Sequence, residues 1–271
     1  MFVWRAQVGP SPVTGEPAAR ATRASGPVGA AHAVDWGFTR ADGAQGASTG
    51  DFARFNLGGH VGDDPEAVES NRAHLAAALR VERDHLLFMA QCHGAEVAVA
   101  RGPWEGDAPA VDAVVTDRPG LALAVLVADC TPVLLADPEA GVIGAVHAGR
   151  PGLAAGIVTA AVVAARDLGA RSLRAAVGPS VCGRCYEVPQ AMRDEVAAGH
   201  PESATVSWSG TPALDVAAGV VADLHALDVP LTWVPGCTRE DPRLYSYRRA
   251  ARTGRFAGVV AMAAGASGDA A

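Results

Sequence analysis

Three side chains far apart in the chain share a chemistry: His93 in Gln91-Cys92-His93-Gly94, Cys130 in Ala128-Asp129-Cys130, and His147 in Val146-His147-Ala148-Gly149. One thiolate and two imidazoles are donors that zinc accepts, and three protein ligands leave a tetrahedral ion one position for water or substrate. Each residue alone has a plainer reading, since free cysteine is among the most buried residue types and an isolated histidine is usually a satisfied core group. Their company argues otherwise. Asp129 is a charged residue at the end of the apolar run Leu121 to Val127, where a carboxylate needs a partner or a task. His147 ends a second apolar run, Val142 to Val146, and is followed by Ala-Gly-Arg-Pro-Gly at a strand-to-helix junction.

Elements must bring these groups together. Val133 to Ala136, the turn-like Asp137-Pro138-Glu139-Ala140, and Val142 to Val146 read as a hairpin. If those four residues form the turn, Ala136 faces Gly141 and Cys130 stands opposite His147, with Cβ atoms roughly 4.5–5.5 Å apart. Pro132 cannot donate to the ladder, so pairing is expected to end before Cys130. Leu86 to Gln91 and Glu96 to Ala100 read as strands around a bend, which puts His93 at a loop tip. A helix is predicted after Asp63 or Asp64, with Pro65 in its first turn and Val68, Leu75 and Leu79 on one stripe. Further helices are predicted over 153–168, 189–198 and 213–227, and strands over 173–177 and 231–234. Strands that arrive both as hairpins and in alternation with helices predict an α+β (α/β layered) fold with mixed β-sheets and flanking helices. Residues 1–30, rich in Pro, Gly, Ala and Arg, are expected to be a flexible tail, 31–262 one domain, and 263–271 a second tail.

Composition narrows the function. All 22 cationic residues are arginine, so mechanisms that need a lysine amine (Schiff-base enzymes, P-loop hydrolases, protein kinases) are excluded. A formal charge of -7 without a basic cluster argues against nucleic acid or an anionic membrane as partner and favours a small molecule. No secretory signal pattern and no spanning apolar stretch are evident, which predicts a cytoplasmic protein. Five cysteines are too few and too odd a number for a disulfide framework. Cys182-Gly183-Arg184-Cys185 is open to three readings, half a zinc knuckle, a redox pair, or two loop cysteines. The loop is preferred, because no second Cys-x-x-Cys or His-x-x-x-His completes a metal site. The His-x-Glu and Pro-Cys-x-x-Cys signature of the zinc deaminase fold is missing in both halves. The other six histidines have polar or tail contexts and are expected to face solvent. Arg248 and Arg249, beside Tyr245 and Tyr247, are either an exposed charged pair or part of an anion site.

A further set of motifs carries a resemblance. Phe38-Thr39-Arg40, Asn56-Leu57-Gly58 with His60-Val61-Gly62-Asp63-Asp64, Gln91-x-His93-Gly94, Asp112 to Asp117, Ala128-Asp129-Cys130 and His147-Ala148-Gly149 occur in this order. Gly178-Pro179, Cys185-Tyr186-Glu187-Val188, Cys237-Thr238, Ser246-Tyr247-Arg248-Arg249 and Thr253-Gly254-Arg255 follow. Over about 38–260 the chain resembles the laccase-like multicopper polyphenol oxidase family, also called peptidoglycan editing factor and regarded as purine nucleoside phosphorylases. The resemblance implies a layered fold similar to cysteine hydrolase-like α/β sandwiches. It also implies zinc ligands at His93, Cys130 and His147, and phosphorolysis of adenosine, inosine, guanosine and S-methyl-5′-thioadenosine with adenosine deamination. Copper, also associated with the family, is disfavoured because a multicopper centre needs many imidazoles, and most of the eight here are scattered.

On this reading a purine nucleoside and phosphate are the partners of a monomer or small homo-oligomer. Asp129 is the candidate proton carrier beside Cys130, Asn56 the substrate orienter, and Arg40 and Arg150 the phosphate holders. Gly149 and the helix start after it supply free N–H groups. One departure stands out: Arg150-Pro151 occupies the place of the family's Trp-Arg, so the arginine comes one residue early and its role passes to Arg248 or the helix terminus. Two alternatives remain open at this point. One is a cysteine hydrolase with Cys130 as nucleophile and His147 as base, the other a non-catalytic nucleoside-binding factor.

Overall fold

The structure is a computed structural model and describes residues 1–9, 32–43 and 45–263. In chain order the elements are β1 (Phe2–Val8), β2 (Val34–Thr39), α1 (Pro65–Leu79), β3 (Leu86–Leu87), β4 (Val97–Val99), β5 (Ala113–Thr116) and β6 (Ala122–Val127). Next come β7 (Thr131–Asp137), β8 (Val142–Ala148), α2 (Arg150–Ala154), α3 (Ile157–Asp167), β9 (Arg174–Val177) and α4 (Gln190–Gly199). The last are β10 (Ala204–Val206), β11 (Pro212–Leu214), α5 (Val216–Ala226), β12 (Leu231–Trp233) and β13 (Phe256–Met262).

Alternation along the strands dictates four layers. In β6, Leu123, Val125 and Val127 pack with β7 residues Leu134 and Ala136, whereas Ala122, Ala124 and Leu126 pack with Leu75, Ala76 and Leu79 of α1. In β7, Val133 and Leu135 face the other way, onto Ile157, Val158 and Ala161 of α3 and Val220 and Leu224 of α5. A strand that is apolar on both faces must be covered on both, because each fully buried large side chain contributes roughly 1.5–3 kcal/mol. The result is α1, a five-stranded sheet ordered β1-β2-β13-β6-β3, a six-stranded sheet ordered β12-β9-β7-β8-β5-β4, and α3 with α5. Both sheets are mixed: β3 is parallel to β6, and β4 to β5 and β12 to β9, among antiparallel neighbours. This is the α+β class expected.

The hairpin forms, with a register two residues from the one predicted. Ala136 pairs with Ile143, and Pro132 rather than Cys130 stands opposite His147. The cause is Asp137, which ends the strand instead of opening the turn: its Oδ1 accepts from the N–H groups of Glu139 and Ala140, and Gly141 closes the loop at φ 65°. A slip of two keeps every side chain on its face, so Cys130, one position beyond the ladder, still shares His147's face. Pairing does stop short of Cys130.

Helix α1 begins as expected, with Asp64 Oδ1 accepting from Glu66 N and Pro65 in the first turn. Two predicted helices are shorter or divided. The stretch 153–168 breaks at Gly156, which adopts φ 83°, into α2 and α3. The stretch 213–227 gives its first residues to β11, because Asp215 caps α5 through Ala218 N. The tail expected over 1–30 is corrected at its start: Phe2–Val8 is an edge strand on β2, and Trp4 stacks 5.7 Å from Phe38. The remainder, 10–30, and residues 264–271 of the second tail lie outside the described residues.

Candidate metal centre and its cavity

Three connections pass from one sheet to the other at the same end of the molecule. They are residues 88–96 between β3 and β4, 128–130 between β6 and β7, and 234–255 between β12 and β13. The shortest carries Asp129 at φ 107° and delivers Cys130 to the corner between the sheets. The first carries His93 at φ 62°, and β8 ends beside both, bringing His147. Left-handed backbone at a non-glycine residue is costly and persists only where surrounding bonds fix it.

Asp112, fully buried just before β5, supplies those bonds. Its Oδ1 accepts from His93 N at 2.9 Å and His147 Nδ1 at 2.7 Å, and its Oδ2 accepts from Gly94 N at 2.7 Å and Cys92 N at 3.2 Å. One carboxylate therefore shapes the His93 loop and fixes the His147 ring, so that Nε2 is free to coordinate. The donor atoms of His93, Cys130 and His147 all lie within 4.8 Å of one another. Cys130 Sγ is 3.8 Å from His93 Nε2, and the two imidazole rings meet edge to face with centroids 4.7 Å apart. Bonds of about 2.0–2.3 Å from one ion would hold such a set after small side-chain rotations. Gly149 permits the approach, since a Cβ there would lie 2.8 Å from His93 Cδ2 and 3.3 Å from Cys130 Sγ.

The electrostatics fit a cation. Burial is the largest influence on the Cys130 thiol and raises its pKa, yet the charge of His147 and hydrogen bonds with His147 and His93 bring it down to about 6. Burial likewise disfavours a charged His147, but Cys130 and Asp112 outweigh it and lift the imidazole to about 9. Each of the two groups thus favours the charged form of the other, and a cation bound there would compete with the imidazolium proton. For Asp112 burial also acts upward, and hydrogen bonds from His147, Cys92 and Gly94 hold the carboxyl far below its ordinary range.

All three donors line a cavity of about 830 Å³. The expected site residues divide around it. Asp129, Arg150 and Arg248 line it too. Asp129 uses both oxygens as acceptors, from Thr238 Oγ1 at 2.6 Å and Arg248 N at 2.7 Å. Arg248 lies over the Tyr186 ring at 4.5 Å and donates to Glu187 O. Gly149 serves by lacking a side chain, and the helix after it has five residues, too short for the dipole-based anion site expected. Arg40 is corrected: it pairs with Asp42, outside the cavity lining. Asn56 is corrected as well. It is fully buried, and its Oδ1 accepts from Gly58 N and Arg255 N, so it acts on the cavity only through Arg255.

Arg255, His60 and Tyr186, which had no expected role, also line the cavity, as does Tyr247 beside Arg248. Burial lowers the Arg255 pKa, opposed by the negative charges of Cys130 and Asp129. His60 does face solvent as expected while standing at the cavity rim. The available signal for Asp112 was a lone carboxylate opening the buried strand Ala113–Thr116; for Arg255, it was an arginine directly before the buried strand Phe256–Met262.

The chain is 58% identical over 221 residues to "Purine nucleoside phosphorylase ORF3" of Streptomyces griseus, covering 79% of this chain and 89% of that protein. It is 49% identical over 222 residues to "Purine nucleoside phosphorylase Rv2149c" of Mycobacterium tuberculosis, covering 81% and 89%. The fold matches the crystal structure of YlmD from Geobacillus stearothermophilus with a TM-score of 0.78 at 31% identity, covering 85% of this chain and 92% of that one. It also matches YfiH of Bacillus licheniformis with a TM-score of 0.75 at 25% identity, covering 85% and 96%. The model of the family described as multi-copper polyphenol oxidoreductase laccase matches residues 35–263, which include every donor and cavity residue named above, and the chain belongs to that family.

Proposed function

We propose that the cavity is the site of a metal-dependent purine nucleoside phosphorylase that also deaminates adenosine. The observation that carries this reading is the convergence of His93, Cys130 and His147 on a cavity that holds arginines beside aromatic and apolar walls. At about 830 Å³ it falls in the range of small-molecule sites and exceeds what a nucleoside alone fills. The names of the relatives support the same reaction.

One sulfur and two imidazole nitrogens fit zinc, and they would also fit a single copper ion. A multicopper centre is not supported, because among the described residues only one donor group contains histidine. A bound ion would supply a positive centre that polarises water or a substrate oxygen. The chain's own groups do the rest. Arg150, Arg248 and Arg255 hold phosphate, Tyr186 and Tyr247 flank the purine, and Met89, Leu126 and Val181 exclude water around it. In phosphorolysis a phosphate oxygen bonds to C1′ as the C1′–N9 bond breaks and the base leaves with a proton. In deamination water adds at C6 and ammonia departs. Adenosine, inosine, guanosine and S-methyl-5′-thioadenosine are the substrates of this reading, which is that of a cytoplasmic enzyme.

The test is to incubate metal-loaded protein with adenosine, with and without phosphate, and separate the products by chromatography. Adenine that appears only with phosphate supports phosphorolysis, and inosine formed without phosphate supports deamination. Neither product from fully metal-loaded protein overturns the proposal. A cysteine hydrolase is the second reading, and the order Asp112–His147–Cys130 favours it, since an orienting carboxylate, a base and a thiol are its parts. Inactivation by iodoacetamide that a chelator does not mimic would select it.

A further inference from the structure

Three of the other four cysteines form a second donor group, which includes the Cys182/Cys185 pair expected to be loop cysteines. Cys182, Cys185, Cys237 and Glu240 have ligand atoms all within 4.8 Å of one another, and none of the four lines the cavity. Glu240 stands 55 residues after Cys185, so the missing half of the Cys-x-x-Cys motif is a Cys-x-x-Glu brought in by the fold. The two halves are built alike. Cys185 N and Tyr186 N both donate to Cys182 O, at 2.9 and 3.1 Å, while Glu240 N and Asp241 N both donate to Cys237 O, at 3.1 and 2.8 Å. Each is a tight turn that presents residues i and i+3 on one side. The turns are joined face to face by a bridge between Ser180 and Cys237, where Thr238 N donates to Ser180 O. Glu240 is oriented by Trp208 Nε1, which donates to its Oε1 at 3.3 Å.

We propose that these four residues bind a second, structural cation of the zinc class. Three thiolates and one carboxylate complete a tetrahedron, in which sulfurs bonded at about 2.3 Å lie about 3.8 Å apart, a spacing this group reaches with small side-chain rotations. Binding is not redox: three S–metal bonds form as the three thiol protons pass to solvent. The site closes coordination with protein atoms and so differs from the cavity trio. Its position defines its task. The first turn runs directly into Tyr186 and Glu187, which hold the Arg248 side chain, and the second carries Thr238, which donates to Asp129. Both turns follow strands of one parallel pair, β9 and β12, beyond the end of their ladder. A cation there staples the two connections that make one wall of the cavity.

The metal count does not depend on the reading of the cavity, because that site can be removed first. The full chain carrying Cys130→Ala and His147→Ala is loaded with Zn(II), dialysed and analysed for metal. We expect two equivalents in the unaltered protein, one in the double variant, and none when Cys237→Ser is added. Zn(II) is also expected to protect three thiols of the double variant from iodoacetamide until a chelator is added, a readout that serves if the Cys237→Ser protein does not fold. Less than a tenth of an equivalent in the folded double variant, alkylation unaffected by Zn(II), or a Cys182–Cys185 disulfide in protein kept under reducing conditions each overturns the proposal.

Discussion

The two donor groups are assembled in opposite ways. His93, Cys130 and His147 come from two sheet-to-sheet connections and the end of β8 and line a cavity, with both histidines held by a buried carboxylate. Cys182, Cys185, Cys237 and Glu240 sit in two matching backbone turns, away from the cavity lining. The difference lies in the number and kind of ligands. Two imidazoles and one thiolate leave a tetrahedral ion short of a ligand and able to meet substrate, whereas three thiolates and a carboxylate satisfy it. The contrast also shows in the supports. Asp112 fixes ring orientation for the first group, and peptide N–H groups fix turn shape for the second.

The sharpest way to break this contrast is Cys130→Ala. It is expected to bring turnover to background and remove the cavity metal while circular dichroism and the metal at the cysteine group persist; retained turnover would refute the role of the trio. Asp112→Asn should come next, lowering affinity for the cavity metal roughly 10–100-fold with no effect on the other group. A titration with a competing chelator would measure it, and unchanged affinity would show that His147 does not need this partner.

Arg255→Met tests the arginine wall. Loss of charged hydrogen bonds worth about 1.5–3 kcal/mol predicts a roughly 10–100-fold rise in the KM for phosphate. The KM for nucleoside should change less, and steady-state kinetics with phosphate varied would separate the two. Asp137→Asn provides the control at the far end of the β7–β8 hairpin. Burial acts to raise the pKa of Asp137, but the N–H groups of Ser172, Ala140, Arg171 and Glu139 overcome it and lower the value. Its contribution is therefore present above the unfolded pKa of about 3.9 and is lost as pH falls through the lower folded value. The amide should cost about 1–3 kcal/mol at neutral pH by denaturant unfolding, while metal content stays at the native level. Altered metal content in this variant would mean that stability, not ligation, governs loading.

Much of the frame was legible because it rests on local rules. Asp64 and Pro65 mark the start of α1, and the double-sided apolar pattern of β6 and β7 requires layers above and below. The hairpin around Pro138 could be read, but its register could not be fixed, since Asp137 fits equally as last strand residue or first turn residue until its bonds are known. Phe2–Val8 escaped notice because the Pro, Gly and Ala of the following residues dominate that stretch's composition. Asn56 and Arg40 belong to motifs that carry the resemblance, and burial of the one and a local ion pair of the other keep both off the cavity lining.

By itself the sequence determined the donors: which residues are thiols and imidazoles, that no lysine competes with arginine for anions, and which strand faces are apolar. Tertiary structure alone decided which donors meet. Alternation assigns a side chain to a face but does not say which sheet a strand joins or where the chain crosses between sheets. Those crossings bring His93 to Cys130, and the pairing of β9 with β12 brings Cys237 to Cys182, because residues distant in sequence become neighbours only when strands pair and layers pack.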